Sequence, residues 1–285
     1  MRRFGAAIAL PLVALVVVGT AAGATRDARV AALQVALRAN GFYDGDVDGL
    51  TGPKTERAVR RLQARAKITV DGVVGPQTRK ALGKLGRPGL GTRTLKKGKR
   101  GWDVASLQFR LAEHGFPSGT FDGDFGPRTD AALRRFQEWA GLPVDGHAGR
   151  ATFRALTAPP ATSPVTFKRP IDAPVTDLFG PRGARFHTGI DFPAPRGTPV
   201  VAARTGRVTV ARWLEGYGFT ILVRHSLGVS TMYAHLSAFV VKDGEAVGVG
   251  QPLGRVGASG TATGPHLHFE VRVRGAAVDP LPSLR

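Results

Sequence analysis

The first half of the chain repeats apolar residues at the spacing of an α-helix. Apolar positions three and four residues apart run from Val30 to Leu37 and again from Ala58 to Leu62. This pattern predicts two amphipathic helices, and a third short helix is predicted to carry Ala81-Leu82. The same three-helix pattern returns later, because residues 30–82 align without a gap on residues 104–156.

The repeat preserves short motifs as well as periodicity. LQ, GF and DGxxGPxT recur at equivalent positions, and a second Asp-Gly pair follows in each copy. Glycine permits the positive φ of tight turns and aspartate can hydrogen-bond nearby backbone, so we interpret Asp48, Asp71, Asp122 and Asp145 as turn residues. Calcium binding is the minority alternative, since the spacing lacks the closing glutamate of an EF-hand.

The second half has a different sequence pattern, in which short β-rich runs are separated by glycine turns. The runs TPVVAA, GRVTVARW, GFTILVRH, GVSTMYAH and HLHFEVRV predict strands, and no helix of ordinary length is evident. We therefore expect two small all-α three-helix modules, at residues 27–85 and 95–157, followed by an all-β antiparallel domain at residues 166–285. A Pro- and Thr-rich linker, residues 158–165, would join them.

The N-terminal residues predict where the protein is located. The chain starts with MRR, continues through an apolar run, and reaches Ala22-Gly23-Ala24, which predicts a secretory signal peptide over residues 1–24. Pro11 interrupts the apolar run, which is also shorter than the roughly 20 residues of a membrane span, so we expect no stable membrane anchor after cleavage. The expected location is secreted, in the cell wall or periplasm.

The formal charge of +19 favours a polyanionic partner. Nucleic acid is disfavoured because aromatic residues are few and no recognition helix or aromatic platform is evident. Export instead favours bacterial cell wall with its anionic polymers. The chain has no cysteine, so disulfides and a lipid anchor on cysteine are excluded. The sequence does not indicate an oligomeric state.

Histidines concentrate in two motifs of the second half, HTGID at residues 187–191 and GPHLHFE at residues 264–270. Side chains two apart in a strand share a face, so His266 and His268 are expected to project together, one able to bind a metal and the other facing a substrate. By the same alternation, Thr231, Tyr233 and His235 are expected to line one face of a strand and reach a common cleft.

These residue types fit a hydrolytic zinc site, which uses three protein ligands and keeps a fourth position for water. His187, Asp191 and His268 supply that number of ligands. His235 and His266 are then candidates for moving protons and stabilising an oxyanion.

Other polar residues carry simpler interpretations. His114, His147 and His225 are interpreted as structural histidines. Glu270 would either orient a metal ligand or form a salt bridge, and Tyr233 and Thr263 would either line the cleft or pack in the core. HLH does not fit the cupin pattern, because a cupin has further ligands downstream whereas here the other ligands lie upstream.

The duplicated segment resembles the peptidoglycan-binding type 1 family through LQxxLxxxGF, DGxxGPxT and AVxxxQ. The resemblance covers nearly all of residues 27–157 and implies binding to peptidoglycan. The copies differ at Gly75-Pro76, which becomes Gly149-Arg150, so the sequence does not tell which copy binds wall.

The second half resembles the M23 metallopeptidases of the lysostaphin or LytM type. FGPR, HTGID, GTPV, TMYAHLS, GQPLGRVG and TGPHLHFE occur in the family's order over residues 165–281. The resemblance implies Zn²⁺ bound by His187, Asp191 and His268, with His235 and His266 as catalytic histidines.

The sequence thus predicts a secreted zinc endopeptidase that cuts peptidoglycan stems or cross-bridges and is tethered by its modules. The alternative is a non-catalytic regulator that activates another wall hydrolase. A fragment starting near Pro164 is expected to fold alone and to cleave a soluble peptide as fast as the whole chain.

Overall fold

The computed structural model describes Leu15–Val16 and residues 26–285. Apart from the dipeptide β1 (Leu15–Val16), the predicted signal peptide lies outside the described residues. In the described part of the chain, no helix is both long enough and apolar enough to span a membrane.

Two helical modules come first. The first module consists of α1 (Ala28–Ala39), α2 (Pro53–Arg65), β2 (Val73–Val74) and α3 (Pro76–Ala81), with a 3₁₀ turn at Gly83–Gly86. The second module consists of α4 (Trp102–Glu113), α5 (Pro127–Trp139) and α6 (Arg150–Ala155). The predicted three-helix pattern of each copy is therefore confirmed. Strand β2 pairs antiparallel with β1.

The Asp-Gly pairs are turns, each locked by a buried glutamine. Gln34 Nε2 donates to Asp48 Oδ1 over 2.7 Å, and the amide of Gly49 donates to Gln34 Oε1 over 2.9 Å. The second module repeats this arrangement with Gln108 and Asp122. The following glycines have positive φ, for example 71° at Gly49. The Oδ1 atom of each of these four aspartates thus accepts hydrogen bonds within its own turn, which supports the turn interpretation over calcium binding.

The modules share an interface as well as a sequence. Helix α1 packs against α4, and Ser106 Oγ donates to the carbonyl of Ala28 over 3.1 Å. Apolar residues of both modules, including Leu33 and Phe109, belong to one buried cluster. The two modules therefore pack against each other instead of being separate domains on a linker.

The second half is an antiparallel β domain, as predicted. Its strands are β3 (Gly180–Arg182), β4 (Arg185–His187), β5 (Ile190–Pro193), β6 (Pro199–Val201), β7 (Gly206–Leu214), β8 (Gly218–Arg224), β9 (Val229–Phe239), β10 (Ala246–Val247), β11 (Pro252–Val256), β12 (His266–Val273) and β13 (Ala276–Val278). The five predicted runs correspond to β6, β7, β8, β9 and β12. A 3₁₀ turn at Leu281–Ser283 is the only helical segment in the described part of this half.

One sheet carries the candidate site. Its path is β10-β7-β8-β9-β11-β6, and β12 pairs with β9, β5 and β13. Strands β3 and β4 form a separate hairpin, called here the metal-site hairpin because it ends at His187. The core beneath is apolar and fully buried, with Phe192, Tyr233 and Phe269 among its largest side chains.

The tip of the metal-site hairpin is held by both modules. The amide of Val47 donates to the carbonyl of Gly183 over 2.8 Å, and Asp46 Oδ1 accepts from the amide of Gly183 over 2.6 Å. From the second module, the amide of Phe121 donates to the carbonyl of Ala184 over 2.7 Å. Phe186 is buried in the apolar cluster that contains residues of both modules. The linker therefore does not separate independent bodies, because the modules pack directly on the β domain.

Candidate metal centre

Three side chains converge from three strands to form a compact donor cluster. His187 ends β4, Asp191 lies in β5 and His268 lies in β12, where it is directly paired with Asp191. His187 Nε2 lies 3.1 Å from Asp191 Oδ1 and 3.0 Å from His268 Nδ1, and His268 Nδ1 lies 2.8 Å from Asp191 Oδ1. All three residues are buried.

The donor set and its spacing fit a zinc ion. Tetrahedral ligands at zinc–nitrogen or zinc–oxygen distances of about 2.0–2.1 Å are about 3.3 Å from one another. The three atom pairs of this cluster are only slightly closer than that. Two imidazoles and one carboxylate are ordinary ligands of a zinc site that keeps a position open for water.

The outer nitrogens of both imidazoles are held by acceptors. His187 Nδ1 lies 2.9 Å from the carbonyl of Leu178, and His268 Nε2 lies 3.1 Å from Glu270 Oε1. When each neutral ring donates its N–H to this acceptor, the lone pairs of His187 Nε2 and His268 Nδ1 are free, and this is the tautomer that metal binding needs. The hydrogen bonds thus orient both rings for a metal.

Glu270 has both roles considered for it from the sequence, because it contacts a candidate metal ligand and forms a salt bridge. It is completely buried, and besides His268 it accepts from Tyr217 Oη at 2.9 Å and from Arg272 Nε at 2.7 Å. Although burial favours the neutral acid, the Arg272 charge and the His268 contact hold the pKa of Glu270 well below its usual range. Glu270 therefore orients a candidate ligand and is itself anchored by a salt bridge.

The electrostatics of the cluster favour a cation. Burial opposes ionisation of Asp191, but its close contacts with His187 and His268 outweigh burial and hold its pKa well below the ordinary value. Burial also disfavours the charged form of His268, yet its contacts with Asp191 and Glu270 raise the pKa of His268 to about 9. Asp191 Oδ2 additionally pairs with Arg182 over 3.1 Å. The carboxylates thus attract positive charge to this point.

His235 and His266 lie beside the cluster without belonging to it. Their ring centroids are 4.7 Å apart, and His235 is 5.8 Å from the ring of His268. His235 Nδ1 lies 2.8 Å from the carbonyl of Ser259, and His266 Nδ1 lies 2.8 Å from that of Gly264. His266 Nε2 is 4.0 Å from Asp191 Oδ1. Each ring is thus fixed through Nδ1, with Nε2 left for chemistry.

His235 is neutral at physiological pH. Burial, together with the neighbouring His268 and His266, lowers the pKa of His235 to about 4. A neutral imidazole whose Nδ1–H is donated to a carbonyl offers an unprotonated Nε2, the form in which histidine accepts a proton.

The structure corrects the expectation that Thr231 and Tyr233 share the cleft with His235. Both are fully buried, and Tyr233 Oη accepts from the amide of Ala203 over 2.8 Å. The cause is a bulge: Tyr233 pairs with Ile221 and Leu236 with Phe219, so β9 has one residue more than β8. His235 has φ of 59° within this bulge. The alternation of sides is broken there, and His235 turns to the cleft while the preceding residues face the core.

The five predicted site residues line one open cleft of about 750 Å³. The metal-site hairpin forms one wall with Arg182 and Arg185, and residues 261–265 form another, including Thr263. Sequence reasoning missed Tyr217, Arg182 and Thr188. Thr188 lies within HTGID and Arg182 within FGPR, so both were inside recognised motifs, whereas Tyr217 had no signal beyond a glycine-flanked turn.

The three histidines interpreted as structural lie away from the cleft. His225 is buried and contacts the carbonyl of Thr205 and the hydroxyl of Thr231, both at 2.9 Å. His114 is buried in the second module, and His147 is exposed. A larger cavity, about 920 Å³, lies near residues 160–166 and contains none of the candidate site residues.

An antiparallel sheet that presents a His-Asp-His cluster and two flanking histidines in an open cleft defines a candidate metallohydrolase domain. Comparison with protein families agrees: residues 185–280 match "Peptidase family M23", and residues 26–82 and 100–156 match "Putative peptidoglycan binding domain". The chain therefore contains an M23 peptidase domain preceded by two peptidoglycan-binding modules.

Curated relatives share only part of their length with this chain. The DD-carboxypeptidase/endopeptidase Mpg of Neisseria meningitidis is 50% identical over 97 residues, 34% of this chain and 22% of Mpg. The murein hydrolase activator EnvC of Escherichia coli is 38% identical over 117 residues, 40% of this chain and 28% of EnvC. The catalytic domain of lysostaphin from Staphylococcus simulans is 35% identical, covers 39% of this chain and 91% of that domain, and superposes with a TM-score of 0.38.

Proposed function

We propose that this chain is a secreted, zinc-dependent endopeptidase that hydrolyses peptide bonds in the stems or cross-bridges of bacterial peptidoglycan. The observation that carries the proposal is the complete donor set of His187, Asp191 and His268, in which the outer nitrogen of each histidine lies within hydrogen-bond distance of an acceptor. The M23 domain and the two wall-binding modules support the reaction class and the substrate.

The role of each residue follows from its position. His187 Nε2, Asp191 Oδ1 and His268 Nδ1 would hold the zinc. When bound, zinc supplies a Lewis acid that polarises the scissile carbonyl and activates water near neutral pH. Neutral His235 would accept a proton through Nε2 and return it to the leaving amine, and His266 would donate to the developing oxyanion.

A regulator without catalysis is the competing function, and the similarity to EnvC supports considering it. The complete donor set favours the enzyme, because a protein that acts only by binding has no need for three converging metal ligands and two fixed histidines. Because the similar protein Mpg is a DD-carboxypeptidase/endopeptidase, D,D-linked cross-bridges are the first substrates to test.

Metal removal tests the enzymatic proposal. We expect a chelator to abolish release of dye from labelled sacculi by the mature chain, and stoichiometric zinc to restore it. Dye release that is unchanged in protein shown by elemental analysis to be metal-free would contradict a zinc enzyme.

A further inference from the structure

The two modules present equivalent faces to different surroundings. In the second module the end of α5 packs on the β domain: Trp139 Nε1 donates to the carbonyl of Val273 over 3.3 Å, and the Arg274 guanidinium lies 5.0 Å above the Trp139 ring. The amide of Ala277 donates to the carbonyl of Gly115 over 3.3 Å. The Trp139 end of this face is therefore covered by the chain itself, whereas Arg128 and Arg135 farther along α5 are exposed.

The equivalent face of the first module is open and basic. In the repeat alignment Trp139 corresponds to Arg65, an exposed residue at the end of α2. Lys54, Arg57 and Arg61 are also exposed on α2 at spacings of three and four residues, so they share one side of the helix. These four residues are called here the α2 stripe, which extends over about 16 Å.

In the described part of the chain, most cations of the α2 stripe have no partner. Arg60 beside it is engaged with Glu56 and with the carbonyl of Val70. Among the described residues, the side chains of Lys54, Arg57 and Arg65 have no hydrogen bond or ion pair. A shallow concavity of about 620 Å³ along the stripe is lined by one acid and four cations, namely Asp44, Lys54, Arg57, Arg60 and Arg61.

The second module has lost half of this charge pattern. Arg128 and Arg135 occupy the positions of Lys54 and Arg61, but Ala131 replaces Arg57 and Trp139 replaces Arg65. The substitution that removes a cation at position 139 also supplies the aromatic ring that packs on the β domain. Module duplication has thus given one copy an intramolecular contact and left the other with an open cationic surface.

We propose that the first module is the copy that binds the wall and that its α2 stripe contacts the carboxylates of peptidoglycan peptides. This inference rests on the proposed function and deepens it, because it assigns substrate attachment to one face of one module. Unpaired exposed cations in a row complement a polymer with repeated anionic groups better than they complement a single small anion. The second module instead fixes the first module to the catalytic domain, so attachment would occur at a set position relative to the cleft.

Sedimentation with insoluble purified sacculi tests this assignment, with chelator present so that no bond is cut. The test variant is Lys54→Gln/Arg57→Gln/Arg65→Gln in the full chain. The matched control, Arg128→Gln/Arg150→Gln/Arg154→Gln, removes the same charge from exposed side chains of the second module. At 0.1 M salt we expect the Kd of the test variant to rise about tenfold and that of the control to stay within about twofold of the unmodified chain.

Salt and chemical treatment of the sacculi identify the anion. The difference between the variants should vanish near 1 M salt, where the Debye length is about 3 Å. Binding should persist after hydrofluoric acid removes phosphate polymers and should weaken after carbodiimide amidation of carboxylates. Equal weakening in both variants would overturn the assignment to the α2 stripe, and loss of binding on acid stripping would overturn the assignment to peptidoglycan carboxylates.

The two proposals fail separately. Cleavage is measured with the unmodified, zinc-loaded chain on a soluble wall peptide, whereas attachment is measured without metal on sacculi. Absence of cleavage would remove the enzymatic proposal and leave the sedimentation comparison to decide which module binds.

Discussion

His235 and His266 face the candidate metal ligands but are themselves held through Nδ1 by backbone carbonyls. We therefore expect His235→Ala and His266→Ala each to retain one equivalent of zinc while the cleavage rate falls by about 10² to 10⁴. Elemental analysis and cleavage of a soluble wall peptide check this division of roles. Loss of zinc from His235→Ala would make that residue a ligand and contradict the proposal.

His114 gives a pH-dependent prediction. It is buried, its Nδ1 has no hydrogen-bond partner, and burial lowers its pKa below the ordinary value of 6.5. As pH falls through about 6.5, the unfolded chain gains a proton at this site before the folded chain does, so stability is lost on the acid side. The corresponding residue of the first module is Asn40, which does not titrate.

We expect His114→Asn to lose less Tm between pH 7.5 and pH 5 than the unmodified chain, whatever its Tm at pH 7.5. His147→Asn is the matched control, because His147 is an exposed histidine of the same module. Scanning calorimetry at both pH values checks it. An unchanged acid loss in His114→Asn would show that His114 does not contribute to acid sensitivity.

Sequence patterns located the five candidate site positions, four histidines and one aspartate, because each lies in one of the short motifs HTGID, TMYAH and GPHLHFE. The alternation rule then failed at Thr231 and Tyr233, since it assumes an uninterrupted strand and a one-residue bulge reverses it. A bulge depends on pairing with β8 and on the amide of His235 donating to the carbonyl of Tyr217 over 2.9 Å. Such long-range contacts leave no periodic trace in the sequence.

At the scale of elements, the metal-site hairpin connects the two modules to the candidate metal centre. Its tip contacts both modules, and its end carries His187. Strands β6, β7, β8, β9 and β12 were predicted from β-rich runs, whereas β3, β4 and β5 were not. Those strands have three or four residues each, too few for alternation to be recognised.

We expect Asp46→Ala to weaken zinc binding about tenfold, because it removes the acceptor that holds Gly183 and so loosens the element that positions His187. Asp46→Asn keeps an oxygen acceptor and should bind zinc nearly as well as the unmodified chain. Asp44→Ala is the matched control, an exposed aspartate of the same loop without a contact to the hairpin. Competition with a chromophoric chelator measures all four affinities, and equal values for Asp46→Ala and Asp44→Ala would contradict the coupling.

At the scale of the whole molecule, the sequence predicted the kinds of domain but not how they pack. The linker composition indicated separable parts, and a fragment from Pro164 was expected to match the whole chain on a soluble peptide. The structure argues against that expectation, because the fragment lacks the module surfaces that cover Phe186 and hold Gly183 and Ala184. Apolar residues such as Phe186 and Trp139 are equally compatible with an internal core and with an interface, so the sequence could not distinguish the two.

The proposed attachment and the proposed cleavage would then be geometrically linked. A wall strand bound by the first module would lie at a fixed distance from the cleft, since both modules pack on the β domain and on each other. Such tethering would raise the effective concentration of cleavable bonds without a new contact at the candidate metal centre.

Mass spectrometry of the fragments released from defined peptidoglycan tests the central claim most directly, because it identifies both the reaction and the bond. We expect the zinc-loaded full chain to release peptides with newly formed amino and carboxyl termini at one type of peptide bond, the two products of each cut together gaining the mass of one water. The same digestion with His268→Ala should release none and should show no bound zinc. Intact peptides throughout, or cleavage only in the glycan strand, would contradict a zinc endopeptidase.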